Sequence, residues 1–306
     1  MNSVSLAGGL GNQFFQLFAC ASMSCSDGVL VETDLGKPAL SNSKIPKSLL
    51  WEFPFEVKKM ANLEPNYFLQ KQFNFLLRTS QIEGKSILHE AVARFSGIPS
   101  FLGRSHTQLV STTKQYIELL NSNKSASYHF TGYFQTARGV YDFVRENRLE
   151  VKLREQSTEL LNDFKKRLDI ENSVFVHARI GDYASERRFG IAPISYYEKC
   201  LTELSRDKRP LGIYLFSDDP EQFISMAPES ITKNLKYVSD PRMPDYLQFE
   251  LFRLGKKYVI ANSTFSWMGA ALSESAEIKV FAPNPWFIHR KDPIDLIPAM
   301  WIEVSR

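Results

Sequence analysis

The chain has 306 residues, 43% hydrophobic and 23% charged, with a formal net charge of +3. These values exclude a disordered or fibrous chain and fit a soluble globular protein large enough for two domains. The mild basicity is far from that of a nucleic-acid-binding protein; it suits an anionic small ligand or loose contact with an anionic membrane surface.

The first predicted element is a very short strand at 4–6, followed by Gly8-Gly9-Leu10-Gly11-Asn12-Gln13 and a helix over about 12–24. Glycines directly after a strand let backbone approach a ligand closely, and the helix behind them offers free N–H groups. Gly9, Gly11, Asn12 and Gln13 are therefore candidate donor contacts. A dinucleotide fingerprint fits poorly, because Phe14 stands where the third glycine belongs. Asp34 could mimic its ribose-binding acid, yet aspartate also ends strands for ordinary turn reasons. The apolar run from Phe14 to Met23 is short and interrupted by Gln16, so it reads as neither a signal peptide nor a membrane span. Three cysteines (Cys20, Cys25, Cys200) without a Cys-x-x-Cys pair read as buried thiols of a reducing compartment. A cytoplasmic protein is expected, any membrane contact being peripheral.

A strand at 29–33 follows, and then a mixed, aromatic-rich stretch over 35–130 with few clear periods. Residues 127–134 read as a strand returning to the first domain, and a highly charged helix over about 154–168 leads out of it. The division is set at 1–155 and 156–306.

The second half is more regular. Strands are predicted at 174–179, 212–217, 235–239, 258–261 and 278–282. Helices are predicted at 193–204, 220–226, 245–254 and 264–273. Alternation of this kind implies a mostly parallel sheet covered on both faces. A first half of the same type makes two facing α/β domains with a cleft between them.

Three strand ends in this half carry polar groups. In Val174-Phe-Val-His-Ala-Arg-Ile-Gly-Asp-Tyr183 a buried strand ends in His177, Arg179 and Asp182. Ligands of open α/β sheets sit outside such ends, and arginine is the side chain best shaped for a phosphate. The plain alternative is that Arg179 and Asp182 pair with each other or with loop backbone. In Leu215-Phe-Ser-Asp218-Asp219-Pro220 the second aspartate reads as a helix N-cap, which leaves Asp218 at the strand end. No third acid lies nearby, so a metal is not expected. In Val259-Ile-Ala-Asn262-Ser263-Thr264-Phe-Ser266-Trp267 a buried strand runs into a helix start bearing hydrogen-bonding side chains. Such a start favours anions, although Asn262 or Ser263 could simply cap it. Trp267 reads as core. The chain has no Gly-x-Ser-x-Gly elbow and no Walker A loop.

In this order, these segments resemble the α-1,2-fucosyltransferases of glycosyltransferase family 11. The resemblance rests on Gly8 to Gln13, on His177 to Tyr183 with Ile180 in place of a second arginine, and on Phe216 to Asp219. It extends to Ile260 to Trp267 and to Ala282-Pro283-x-x-Trp286-Phe287. Met268 also departs, where relatives often carry another tryptophan; it reads as a packing change.

The resemblance implies a GT-B fold and an inverting mechanism with GDP-β-L-fucose as donor. It implies no cofactor and no metal. The N-terminal domain would serve the acceptor and the C-terminal domain the nucleotide. Arg179 would grip the diphosphate, His177 and Asp218 would contact guanine, and Asn262, Ser263 and Thr264 would line the phosphates. Asp182 is the candidate general base, with Glu186 second. The implied acceptor is a terminal β-galactoside of a surface polysaccharide such as O-antigen; a lipid-linked one would put the enzyme at the inner face of the cytoplasmic membrane. Positions 179 and 180 face opposite ways in a strand, so a second cation at 180 need not meet the same phosphate; Arg187 or Arg188 could compensate for its loss. The rival readings are another GDP-linked 6-deoxyhexose such as colitose, a nucleotide-binding module without catalysis, and, remotely, a dehydrogenase.

Overall fold

The computed structural model describes residues 2–24, 29–31, 51–52, 57–59, 107–122, 126–147, 150–151, 155–181, 183, 189–207 and 211–306. The predictions made for Cys25, Asp34, Asp182, Glu186, Arg187 and Arg188, and most of those over 35–106, lie outside these residues. The chain divides into two compact units, Met1–Glu150 and Val151–Arg306.

The first unit is built on β1 (Asn2–Val4), α1 (Leu10–Ser22), β2 (Val29–Val31), β3 (Trp51–Glu52), β4 (Val57–Lys59), β5 (Thr107–Val110), α2 (Thr113–Leu120), β6 (Ser127–Phe130) and α3 (Val140–Glu146). Its main sheet has the order β4-β2-β1-β6-β5, with every neighbouring pair parallel. β3 pairs separately with β7 (Glu150–Val151). The first strand starts earlier than predicted, because Asn2 and Ser3 are buried polar residues that hide it from a hydrophobicity reading. α1 is buried along most of its length, and Phe14, in the place of the fingerprint's third glycine, stacks on Phe18 in the core at 5.6 Å. Between β5 and β6, α2 opens with a capping box formed by Thr112 and Gln115.

The second unit runs α4 (Glu155–Arg167), β8 (Ser173–Ala178), α5 (Ile194–Leu204), β9 (Gly212–Ser217), α6 (Pro220–Met226), α7 (Glu229–Thr232), β10 (Leu235–Val238), α8 (Asp245–Phe252), β11 (Lys257–Val259), α9 (Thr264–Ala271), β12 (Lys279–Asn284) and β13 (Ile302–Ser305). Its sheet has the order β10-β9-β8-β11-β12-β13 and is parallel throughout. The expected fold class, α/β with parallel sheets, is what the chain adopts. β13 was not foreseen; it is a four-residue edge strand that exposes Ile302 and Glu303, too short for its apolar alternation (Ile302, Val304) to stand out.

Strand period sorts β8 into two faces. Val174, Val176 and Ala178, continued by Ile180, pack against α5 through Tyr196, Tyr197 and Cys200. Phe175 and His177 point the other way: Phe175 stacks on Tyr214 at 5.2 Å, and His177 meets Phe252 of α8 edge-on at 6.0 Å. Leu247, Leu251 and Leu254, the apolar stripe foreseen for α8, are all buried. Trp267 and Met268 are core residues, and Trp267 donates its indole N–H to the Leu296 carbonyl. No helix among the described residues is long and apolar enough to cross a membrane.

Candidate functional site

The C-terminal ends of β8, β9 and β11 carry the polar groups of the second unit. Beyond Ala178 the chain leaves the sheet. Arg179 stays partly exposed, whereas Ile180 is fully buried in the core. Position 180 packs in the cluster that includes α5, and in this chain an arginine there would have to bury its charge in an apolar layer.

Arg179 pairs with Asp218, not through a contact foreseen from the sequence. Its Nε lies 3.4 Å from Asp218 Oδ2. Asp218 Oδ1 accepts the Ile180 backbone N–H at 2.9 Å. Both carboxylate oxygens at the end of β9 therefore fasten the stretch that leaves β8. Gly181 lies close by, so that a side chain there would come within 2.9 Å of Asp218 Oδ2. Asp219 is the N-cap of α6, its carboxylate accepting the Gln222 N–H at 3.0 Å, as the sequence predicts.

His177 lies almost entirely out of solvent and stacks on Phe265 of α9 at 5.3 Å. Burial and, secondarily, the Arg179 charge lower its pKa from 6.5 to about 3. The ring is neutral at physiological pH. Its Nδ1 is buried with no hydrogen-bond partner among the described residues. Groups of this kind are uncommon and ask for an explanation, such as a ligand atom.

Capping by Asn262 or Ser263 is not observed. Ser263 occupies the N-cap of α9 but makes no side-chain cap bond. Asn262 turns away: its Nδ2 donates to the carbonyls of Phe189 and Gly190 at 3.0 and 3.1 Å. Ser266 donates its hydroxyl back to Ser263 O and Ala261 O. The first amides of α9 thus gain no bond from the Asn262 or Ser263 side chains, and a helix start of this kind favours an anion. Tyr183 joins the two halves of this site: its hydroxyl donates to Asn262 O at 3.1 Å, and its ring lies 5.8 Å from the Arg179 guanidinium. Neither Tyr183 nor Phe265 received a role from the sequence. Tyr183 stood inside a recognised motif, and Phe265 between two polar residues, but only the packing of α9 on β8 assigns them their partners.

The glycine turn of the first unit is more self-contained. Gly8 has φ +80°, a conformation that favours glycine, and Gly9 is the N-cap of α1 without a side-chain bond. Space around Gly9 is open, while Gly11 is buried. Gln13 donates to the Gly8 carbonyl at 2.8 Å, and Asn12 Oδ1 accepts from Gln135 at 2.9 Å. The adjoining Phe134 holds φ +47°, unusual for an aromatic residue. Behind the turn, His129 bridges the hydroxyls of Ser3 and Ser5, and burial lowers its pKa to about 4. A recess of about 490 Å³, lined in part by Phe164, Gly212 and Lys236, includes the N-terminal ends of β8 and β9. It is therefore at the end of the sheet opposite Arg179.

A sequence profile described as Glycosyl transferase family 11 matches residues 68–294, well over half of the chain. Two proteins from Escherichia coli are similar over nearly their whole length. One, named Alpha-1,2-colitosyltransferase, is 26% identical over 318 residues, covering 98% of this chain and 98% of its own. The other, named O-antigen biosynthesis glycosyltransferase WbnK, is 27% identical over 306 residues, covering 92% and 93%. Among solved structures, that of NodZ alpha-1,6-fucosyltransferase co-crystallized with GDP aligns over 88% of this chain and 91% of its own, at 11% identity and a TM-score of 0.49.

Proposed function

The chain belongs to glycosyl transferase family 11, and from that premise we propose that it moves an L-6-deoxyhexose from a GDP-linked donor to a hydroxyl of a terminal galactoside, with inversion, in the assembly of a surface polysaccharide. One observation carries the reading. An arginine at a strand end and the uncapped start of an eight-residue helix converge, linked by Tyr183 and by the His177–Phe265 stack. A fork of donors beside a helix N-terminus suits a diphosphate.

In the proposed reaction the acceptor oxygen attacks the anomeric carbon while the bond from that carbon to the diphosphate breaks. Negative charge gathers on the departing GDP, and Arg179 with the first amides of α9 stabilises it. Asn262, Ser263 and Thr264 form the wall of the phosphate site, Asn262 by holding the loop at 189–190 rather than by touching phosphate. His177 offers its Nδ1, which has no partner among the described residues, to the guanine or ribose. The resemblance would put Asp218 on the base; its two engaged oxygens favour instead a role in orienting Arg179. Asp182, with Glu186 second, takes the acceptor proton. Gly9, Gly11, Asn12 and Gln13 remain donor-contact candidates of the first unit.

L-Fucose is the donor sugar that the motif resemblance favours. Colitose is the second reading, favoured by the name of the relative that matches 98% of the chain. The two sugars differ by one hydroxyl, at C3. A pocket that hydrogen-bonds this hydroxyl would reject colitose by several orders of magnitude, whereas an apolar one would discriminate weakly. The test is a transfer assay with GDP-fucose, GDP-colitose and UDP-galactose on β-galactoside acceptors, with and without EDTA. EDTA-resistant transfer from a GDP-linked donor supports the proposal, and turnover with UDP-galactose alone refutes it. Tight GDP binding without any transfer would mark a non-catalytic module.

A further inference from the structure

The segment Ala282 to Phe287, part of the family resemblance, has no part in the reaction above. Its carbonyl at Trp286 accepts from Arg306 Nη2 at 3.1 Å. The same guanidinium reaches across to the loop that returns from Arg179: Nη1 donates to Gly190 O at 3.1 Å and Nη2 to Phe189 O at 2.9 Å. These are the two carbonyls that Asn262 Nδ2 holds from another direction. Gly190 has φ +67°, and a side chain there would collide with Ile288. The backbone at 189–190 is thus gripped by Asn262 and by Arg306, in a conformation suited to glycine.

From this grip a short chain of contacts leads to the proposed donor site. The Phe189 ring packs against Tyr183 at 5.0 Å, and Tyr183 lies under the Arg179 guanidinium. We propose that Arg306 is a positioning residue for the transfer reaction: its fork ties the turn at Trp286 to the loop at 189–190, and so sets Tyr183 and Arg179 for the donor diphosphate. This inference rests on the donor reading given above. A planar fork fixes the directions of its donors toward carbonyls on two segments, whereas lysine is a point charge on a flexible stem and a poor substitute.

The experiment compares Arg306→Ala and Arg306→Lys with wild-type enzyme. Lys199→Ala serves as control, since Lys199 donates to the Ser305 carbonyl beside Arg306 but not to the loop. A small misplacement of a site residue can cost two orders of magnitude in rate. Arg306→Ala is expected to lower kcat/KM for the donor about 10- to 100-fold and to weaken GDP binding about tenfold. The acceptor KM should stay within about twofold. Arg306→Lys should recover only a few-fold, and Lys199→Ala should match wild type. The decisive arm places Arg306→Ala in an Arg179→Lys background, where the additional loss should shrink to about twofold or less. Full multiplication of the two effects, or equal rises in donor and acceptor KM, would overturn the inference.

Failure of the donor reading would look different, since wild-type protein would then neither bind GDP nor transfer sugar. The grip itself is read without activity, by hydrogen exchange at the Gly190 and Ile191 amides. Exchange unchanged in Arg306→Ala would end the inference; accelerated exchange would uphold the grip.

Discussion

Replacing Asp218 by asparagine separates two tasks open to one carboxylate. Oδ1 holds the Ile180 amide at 2.9 Å, and Oδ2 lies 3.4 Å from Arg179 Nε. Asparagine keeps the volume and the acceptor for Ile180 but removes the charge beside Arg179. At that separation an effective dielectric of about 20 gives an attraction of about 5 kcal/mol. The two side chains are 33% and 23% exposed, and desolvation and salt offset most of it, leaving about 1–2 kcal/mol. If that energy orients the guanidinium, kcat/KM for the donor falls about 5- to 30-fold. Preference for the guanine base should survive, because no base contact has been removed. The assay is inhibition of transfer by GDP, ADP and UDP, measured side by side in wild type and Asp218→Asn. A variant that keeps its rate but loses tenfold or more of its preference for GDP would put this carboxylate on the base and refute the argument.

Four further outcomes are expected. Arg179→Ala should lose about 30- to several-thousand-fold in kcat/KM (about 2–5 kcal/mol), and Arg179→Lys should not restore it; near-wild-type turnover in either would remove Arg179 from the site. Glu250 and Arg253 form a buried pair, with Nη1 contacts at 3.0 and 2.8 Å and Arg253 Nε donating to Leu272 O. Glu250→Ala strands that guanidinium and should cost about 3–5 kcal/mol in urea melts, and a loss below about 1 kcal/mol would contradict this. His177 and His129 have folded pKa values near 3 and 4 against 6.5 for the free side chain. The unfolded chain therefore binds more protons below pH 6.5, and stability should fall by about 2 kcal/mol between pH 7 and pH 5.5; a flat profile there would mean that these rings are not buried neutral. Asp182→Asn should flatten the acidic limb of the kcat/KM profile, and an unchanged limb would exclude Asp182 as the base.

The second unit was the more legible in the sequence, because its central strands are buried on both faces and read as apolar runs ending in abrupt polarity. Val174 to Arg179 and Gly212 to Ser217 are of this kind, and both were placed to within a residue. The stripe of Leu247, Leu251 and Leu254 marked α8 for the same reason. Short elements with polar interiors were less visible. β1 buries Asn2 and Ser3, and the hydroxyls of Ser3 and of Ser5 just beyond it bond His129 more than a hundred residues away. No local pattern encodes such a pairing. Within the site, strand period correctly separated Arg179 from Ile180. Local capping rules succeeded at Asp219, whose partner is three residues away, whereas the plain alternative that Asn262 caps α9 does not hold, its partners being Phe189 and Gly190. The Arg179–Asp218 pair escaped notice because parallel pairing of β8 with β9 brings together strand ends separated by a whole crossover.

The most direct test is a crystal structure of the protein with GDP bound. The account predicts the diphosphate within hydrogen-bonding distance of the Arg179 fork and of the first amides of α9, with His177 Nδ1 at last partnered. A nucleotide bound elsewhere, with Arg179 still resting on Asp218 and that helix start empty, would contradict it.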